Sequence, residues 1–134
     1  MDRAAGLAPP YRRAYCLSPA SRAFSTGFAL GAAIWLLSEP VTGRQEPWDA
    51  AGLYYPASLL AAGLISGLAV PGHLAAAPLG VYAGQAVVLL ARVMIEPGDG
   101  GLWPLGLLVM AVYSLLAFLG AGLGATLAGR PNRP

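Results

Sequence analysis

The chain has 134 residues, of which 57% are hydrophobic and only 10% are charged. About a quarter of the residues in a soluble globular domain are charged, so this chain has too little charge to cover a surface that faces water. The composition excludes an ordinary soluble domain and indicates an integral membrane protein. The net charge of +2 does not indicate a nucleic-acid partner, because the arginines lie beside apolar segments rather than in one basic cluster.

Four apolar stretches follow one another along the chain, over about 23–38, 50–70, 74–95 and 102–128. A helix rises about 1.5 Å per residue and the hydrocarbon core is about 30 Å thick, so about 20 apolar residues span it. The second and third stretches match this length, the fourth is longer and the first is short. We therefore expect an all-α integral membrane protein, with residues 21–129 forming a four-transmembrane-helix antiparallel bundle.

Charge placement predicts the orientation of this bundle. Six of the eight arginines lie outside the first and last stretches, on one side of the bundle: Arg3, Arg12, Arg13, Arg22, Arg130 and Arg133. Five of the six acids lie in the two loops on the opposite side: Glu39, Glu46, Asp49, Glu96 and Asp99. Because basic residues mark the cytoplasmic side, both termini are expected there. Residues 1–20 would form a mobile or interfacial segment and residues 130–134 a short basic tail.

Composition also indicates the host. All eight basic residues are arginines, with no lysine, in a background rich in Ala, Gly and Pro, as is typical of a GC-rich bacterial genome. The expected location is therefore the bacterial inner membrane. Several aromatic residues lie near the outer ends of the stretches and are expected to form an interfacial belt: Trp35, Trp48, Tyr54, Tyr55 and Trp103.

Each stretch contains one Gly-x-x-x-Gly pair. The eight glycines are Gly27, Gly31, Gly63, Gly67, Gly80, Gly84, Gly120 and Gly124. Small residues let helix backbones approach closely in lipid, where no hydrophobic force drives helices together. We expect these glycines to pack the helices, either within one chain or across a homo-oligomer.

The two halves of the chain echo each other. A Gly-x-x-x-Gly pair, Leu-Leu, Glu-Pro, Trp, Ser-Leu-Leu-Ala and a second Gly-x-x-x-Gly pair occur in that order in both halves, from residues 27 to 67 and from 80 to 124. A duplicated hairpin would give two parallel repeats. The alternative is that Gly, Leu and Ala recur in any membrane chain of this composition.

A polar stripe is predicted on the third helix, where Tyr82, Gln85, Arg92 and Glu96 share one face by their spacing. A charged residue within a membrane helix is a candidate functional residue. Two interpretations stay open: Arg92 extends to the interface with Glu96 as its partner, or the face lines a solute path or contacts a partner. Gln85 is expected to bond a neighbouring helix, for instance at Ser114 or Tyr113.

The residue types in the sequence do not indicate a catalytic site. The only histidine, His73, lies in a predicted turn and the only cysteine is Cys16, too few for a metal site or a nucleophilic triad. We expect no enzyme activity, cofactor or metal. The expected role is self-association or service as an accessory subunit, with the bilayer, membrane-protein subunits or a second copy as partners. The alternative is a small oligomeric transporter or channel that uses the Gln85 and Arg92 face.

Overall fold

A computed structural model describes residues 17–96 and 102–129, and all regular secondary structure within these ranges is helical. Its elements are α1 (Pro19–Thr42), a short 3₁₀ helix (Pro47–Asp49), α2 (Tyr54–Ala69), α3 (Ala76–Ile95) and α4 (Trp103–Ala128). The expected all-helical fold is confirmed. Helices α1, α3 and α4 are long and apolar enough to cross a membrane, whereas α2 is apolar but shorter. The predicted basic tail and most of the predicted N-terminal segment lie outside the described residues.

Helix α1 is longer than the sequence predicted and contains 24 residues. It begins at Pro19, a position where a backbone N–H would have no partner inside the helix, so proline loses nothing there. The Oγ of Ser18 accepts the N–H of Ser21 at 3.2 Å. This start lies inside the segment 1–20 that was expected to be mobile or interfacial.

The other end of α1 extends through Pro40, which the sequence placed in a loop. Proline removes one backbone bond from a helix, and here it does so only in the last turn. The helix ends at Gly43, whose positive φ of 72° suits a residue without a side chain. Its N–H bonds to the carbonyl of Glu39 at 2.8 Å, and Ser38 Oγ donates to the carbonyl of Arg44 at 2.8 Å.

Helix α2 is shorter than predicted, with 16 residues from Tyr54 to Ala69. The first residues of the predicted stretch, 50–53, instead form a bend and a turn after the 3₁₀ helix, with Gly52 at a φ of 86°. Trp48 stabilises this segment by donating its indole N–H to Glu46 Oε2 at 2.8 Å. At the far end, the predicted tight turn is present, with Gly72 at a φ of 95°.

Helices α1 and α3 pack closely against each other, although they are not consecutive in the chain. A Cβ added at Gly27 would overlap the carbonyl oxygen of Ala77, and one added at Gly31 would overlap that of Val81. The contacting residues advance in the same direction along both helices, so the two helices run parallel. Gly80 and Gly84 fill the other side of this seam, where an added Cβ would overlap the carbonyls of Phe24 and Phe28.

Helices α2 and α4 form a second seam of the same kind. An added Cβ at Gly63 or Gly67 would overlap the carbonyl oxygen of Ala117 or Ala121, respectively. On the facing helix, Gly120 and Gly124 meet the carbonyls of Leu60 and Leu64 in the same way. The structure thus places all eight of the predicted glycines at contacts between helices of one chain.

The two seams are reciprocal. In the first seam Gly27 contacts Ala77, and Gly80 contacts Phe24. The number of residues from Gly27 to Gly80 equals the number from Phe24 to Ala77. The second seam has the same property, because Gly63 and Gly120 are separated by as many residues as their partners Leu60 and Ala117. Such reciprocity is what a two-fold axis parallel to the helices produces. The hairpin α1–α2 therefore contacts the hairpin α3–α4 as a near copy of itself.

Candidate functional site

Gln85 is fully buried in the protein interior. Its side chain is 0% exposed, and its Oε1 accepts the hydroxyl of Tyr55 at 2.7 Å. Its Nε2 donates to the carbonyl of Val81 at 3.3 Å. The two predicted partners of Gln85 make other contacts: Ser114 donates to a carbonyl of its own helix, and Tyr113 packs against the ring of Tyr55. The expectation of a bond to a neighbouring helix holds, but the neighbour is α2 rather than α4.

Arg92 pairs with Glu39 of α1 and not with Glu96. Its Nη2 lies 3.9 Å from Glu39 Oε2, a distance that gives Coulomb attraction without a hydrogen bond. Glu96, the expected partner, is the exposed residue after the last turn of α3, where its N–H bonds to the carbonyl of Arg92 at 2.8 Å. Glu96 is four residues from Arg92 along the chain, but α3 ends just before it. The side chain of Glu96 makes no ion pair among the described residues.

Tyr82 lies in a third environment. It is half-buried and packs against the core cluster of Trp35, Leu89 and Met110. It also lines a shallow apolar groove between α3 and α4. The four residues of the predicted stripe therefore do not form one continuous polar path.

A cavity of about 310 Å³ lies at the end of the bundle where α1 and α3 finish and α4 begins. We call this end the tryptophan end, because all three tryptophans of the chain, Trp35, Trp48 and Trp103, line the cavity. Its polar lining consists of Gln45, Glu46, Arg92 and Glu96, and the remainder is Tyr113 and aliphatic side chains. The volume is at the lower end of the range for ligand pockets, about 300–1,000 Å³.

The aromatic residues at this end mostly face inward. The rings of Trp35 and Trp48 meet edge to face at 5.1 Å, and those of Tyr55 and Tyr113 lie 4.9 Å apart. Trp35 and Tyr55 are buried, which differs from the outward-facing belt that their position predicted. Sequence position gives depth along a helix axis, whereas the facing direction depends on which helices pair. Only Trp103 of the three tryptophans is exposed, at 40%.

Two hydrogen-bond donors at the tryptophan end lack acceptors within residues 17–96 and 102–129. The indole N–H of Trp35 is buried and has no acceptor there. The guanidinium of Arg92 has its ion pair with Glu39 but no hydrogen bond to the described residues. A buried donor without an acceptor costs about 1–3 kcal/mol, and most such groups in proteins have partners. Sequence reasoning named Arg92 but missed Trp35, whose burial no local pattern indicates.

No family model, curated protein or solved structure matches this chain. In the part of the chain that the structure describes, no group of three His, Cys, Asp or Glu side chains is placed to hold a metal ion. His73 lies in the turn between α2 and α3. The chemistry available at the tryptophan end is that of aromatic faces, carboxylates and the guanidinium of Arg92 around one cavity.

Proposed function

We propose that this chain is a bacterial inner-membrane protein that crosses the bilayer four times, with both termini in the cytoplasm, and acts without catalysis as an assembly subunit. Its partners would be a second copy or other membrane-protein subunits. The tryptophan end would lie at the outer surface, because the arginine-rich parts of the sequence precede the start of α1 and follow the end of α4, which are at the other end of the bundle.

Membrane insertion is supported by the lengths of α1, α3 and α4 and by their outward side chains. Leu108, Leu115 and Leu119 of α4 are each more than half exposed, an arrangement that is costly in water and favourable in lipid. Helix α2 packs along α4 through its glycines, so it would share the depth of α4. Its 16 residues span roughly 24 Å, and a bilayer adapts to such a short helix by local thinning at modest cost.

The burial of Gln85 is the observation that carries the assembly role. A transport path along the predicted polar face would need a hydrated channel past this residue. Gln85 is instead 0% exposed and both ends of its amide are bonded, to Tyr55 and Val81. A dry interior at this depth favours a protein that works by contact rather than by conduction.

A partner would contact a face other than the glycine seams, because both seams are used inside the chain. The most continuous candidate is the outward face of α4. Exposed aliphatic side chains recur there at intervals of three and four residues along most of the helix: Leu105, Leu108, Val112, Leu115, Leu119, Leu123 and Leu127. A regular stripe of this kind suits packing against another apolar helix.

Native mass spectrometry in mild detergent tests the assembly role. We expect the purified chain to run as an oligomer or to carry a second membrane protein. Replacing Leu108 and Leu119 together by alanine should release the partner. The matched control replaces Leu36 and Leu37, which are similarly exposed but lie on α1, and should leave assembly intact. A monomeric chain without a partner would contradict the proposal.

A transporter or channel is the second candidate, favoured by the cavity that reaches Arg92. It would require the contact between Tyr55 and Gln85 to open during each cycle. Flux of a small ion or solute into liposomes that contain the purified protein would support it. Flux that increases when Tyr55 is replaced by phenylalanine would identify this contact as the gate.

A further inference from the structure

The cavity at the tryptophan end combines both signs of charge with unused donors. Glu46 and Glu96 contribute carboxylates, and Arg92 contributes a guanidinium whose ion pair with Glu39, at 3.9 Å, is too long for a hydrogen bond. The guanidinium makes no hydrogen bond to the described residues, so its donors are available to a bound molecule. Trp48 and Trp103 line the same cavity.

We infer that this cavity binds a zwitterion, with its anionic oxygens on Arg92 and its ammonium group on Glu96 and the aromatic faces. An ammonium group is attracted both by a carboxylate and by the face of a tryptophan. An arginine fork suits phosphate or carboxylate oxygens. The ligand is therefore expected to carry both groups within a few bonds of each other.

The charges of the lining exclude the simpler ligands. A purely anionic ligand would approach two carboxylates, Glu46 and Glu96, against one guanidinium that already faces Glu39. A purely cationic ligand would approach the guanidinium of Arg92 and would offer its N–H donors no acceptor. Only a molecule that carries both signs satisfies both sides of the cavity.

Two sources can supply this chemistry. One is the headgroup of an ethanolamine phospholipid, which would lie at the depth of the tryptophan end in the proposed membrane orientation. The other is a free solute with the same groups. The binding chemistry does not depend on the assembly role, and only the lipid source depends on the proposed membrane insertion.

Intrinsic fluorescence gives a direct test, because all three tryptophans of the chain line the cavity. The full-length protein in detergent is titrated with glycerophosphoethanolamine as the zwitterion, glycerophosphoglycerol as the anion and ethanolamine as the cation. We expect a saturable change in tryptophan emission with the zwitterion alone. No change with the zwitterion, or an equal change with either of the other two, would overturn the inference.

Two variants assign the contacts. Arg92→Gln removes the positive charge of the lining and Glu96→Gln removes a negative one; each should weaken binding about tenfold, as for a hydrogen bond to a charged group. Arg44→Gln is the matched control, because Arg44 is exposed near the same end but does not line the cavity. If Arg92→Gln is folded by circular dichroism and binds like the parent, the inference fails.

Nanodiscs distinguish the two sources. If the ligand is a lipid headgroup, the protein in ethanolamine-phospholipid discs should no longer respond to the soluble zwitterion, whereas in glycerol-phospholipid discs it should. An equal response in both discs identifies a free solute as the source. Oligomeric state is measured separately by native mass spectrometry, so a failure of the assembly role is not mistaken for a failure of ligand binding.

Discussion

Arg92 and Glu39 occupy equivalent positions in the two hairpins and form an ion pair with each other, at 3.9 Å. They are separated along the chain by as many residues as Gly27 and Gly80, the equivalent glycines of the α1–α3 seam. In a symmetric pair of hairpins, identical residues at these positions would place like charges together. The opposite charges avoid that repulsion, so the two halves are complementary rather than identical at this position.

The pair should nevertheless contribute little to stability. Its side chains are 29% and 58% exposed and do not reach hydrogen-bond distance, and such pairs contribute up to about 1 kcal/mol. We expect Arg92→Lys to be tolerated and Arg92→Leu to lower the unfolding free energy by less than about 1 kcal/mol. Thermal unfolding in detergent measures this, with Arg44→Leu as the exposed control. A much larger loss would show that Arg92 has a further structural partner.

The glycine seams should be far less tolerant. Gly120→Ala places a Cβ against the backbone carbonyl of Leu60, which cannot move as a flexible side chain can. Overpacking of this kind costs about 1–3 kcal/mol. Gly122→Ala, two positions away on the same helix, meets no atom of the described part of the chain within 4 Å and gains helix propensity of up to about 1 kcal/mol. Equal melting temperatures for the two variants would contradict the seam.

The buried contact between Tyr55 and Gln85 should behave as a coupled pair. Tyr55→Phe removes the hydroxyl and leaves Gln85 Oε1 without its 2.7 Å donor, which should cost about 1 kcal/mol. Adding Gln85→Leu removes the orphaned amide, so the double variant should recover part of this loss. Unfolding free energies of both single variants and the double variant complete the cycle. Strict additivity would mean that the two side chains do not depend on each other.

Much of the fold is readable from the sequence because lipid-spanning segments and small-residue pairs leave local patterns. Four helices and the turn at Gly72 follow from apolar length and from glycine and proline. The extent of α1 does not, because the effect of Pro40 depends on whether it falls inside a helix or in its last turn. The predicted echo of Ser58 and Ser114 also fails as a structural match, since their separation along the chain differs from that of the equivalent glycines in the α2–α4 seam.

The site was harder to predict than the fold because it depends on contacts between helices. Arg92 was identifiable as a charge near the end of an apolar helix, but its partner Glu39 lies on α1, in the other hairpin. Trp35 was expected at a membrane interface, yet it is buried and lines the cavity. Spacing along one helix defines a face, and only the pairing of α1 with α3 determines what that face meets.

The most direct test of the central claim, a four-span membrane protein with cytoplasmic termini, is cysteine labelling in intact bacterial cells. Cys16 is first replaced by serine, and single cysteines are then placed at Ala51, before α2, and at Ala75, before α3; both positions are exposed. The account predicts that a membrane-impermeant maleimide labels the Ala51→Cys variant in intact cells and the Ala75→Cys variant only after permeabilisation. The reverse pattern, or labelling of both positions in intact cells, would contradict it.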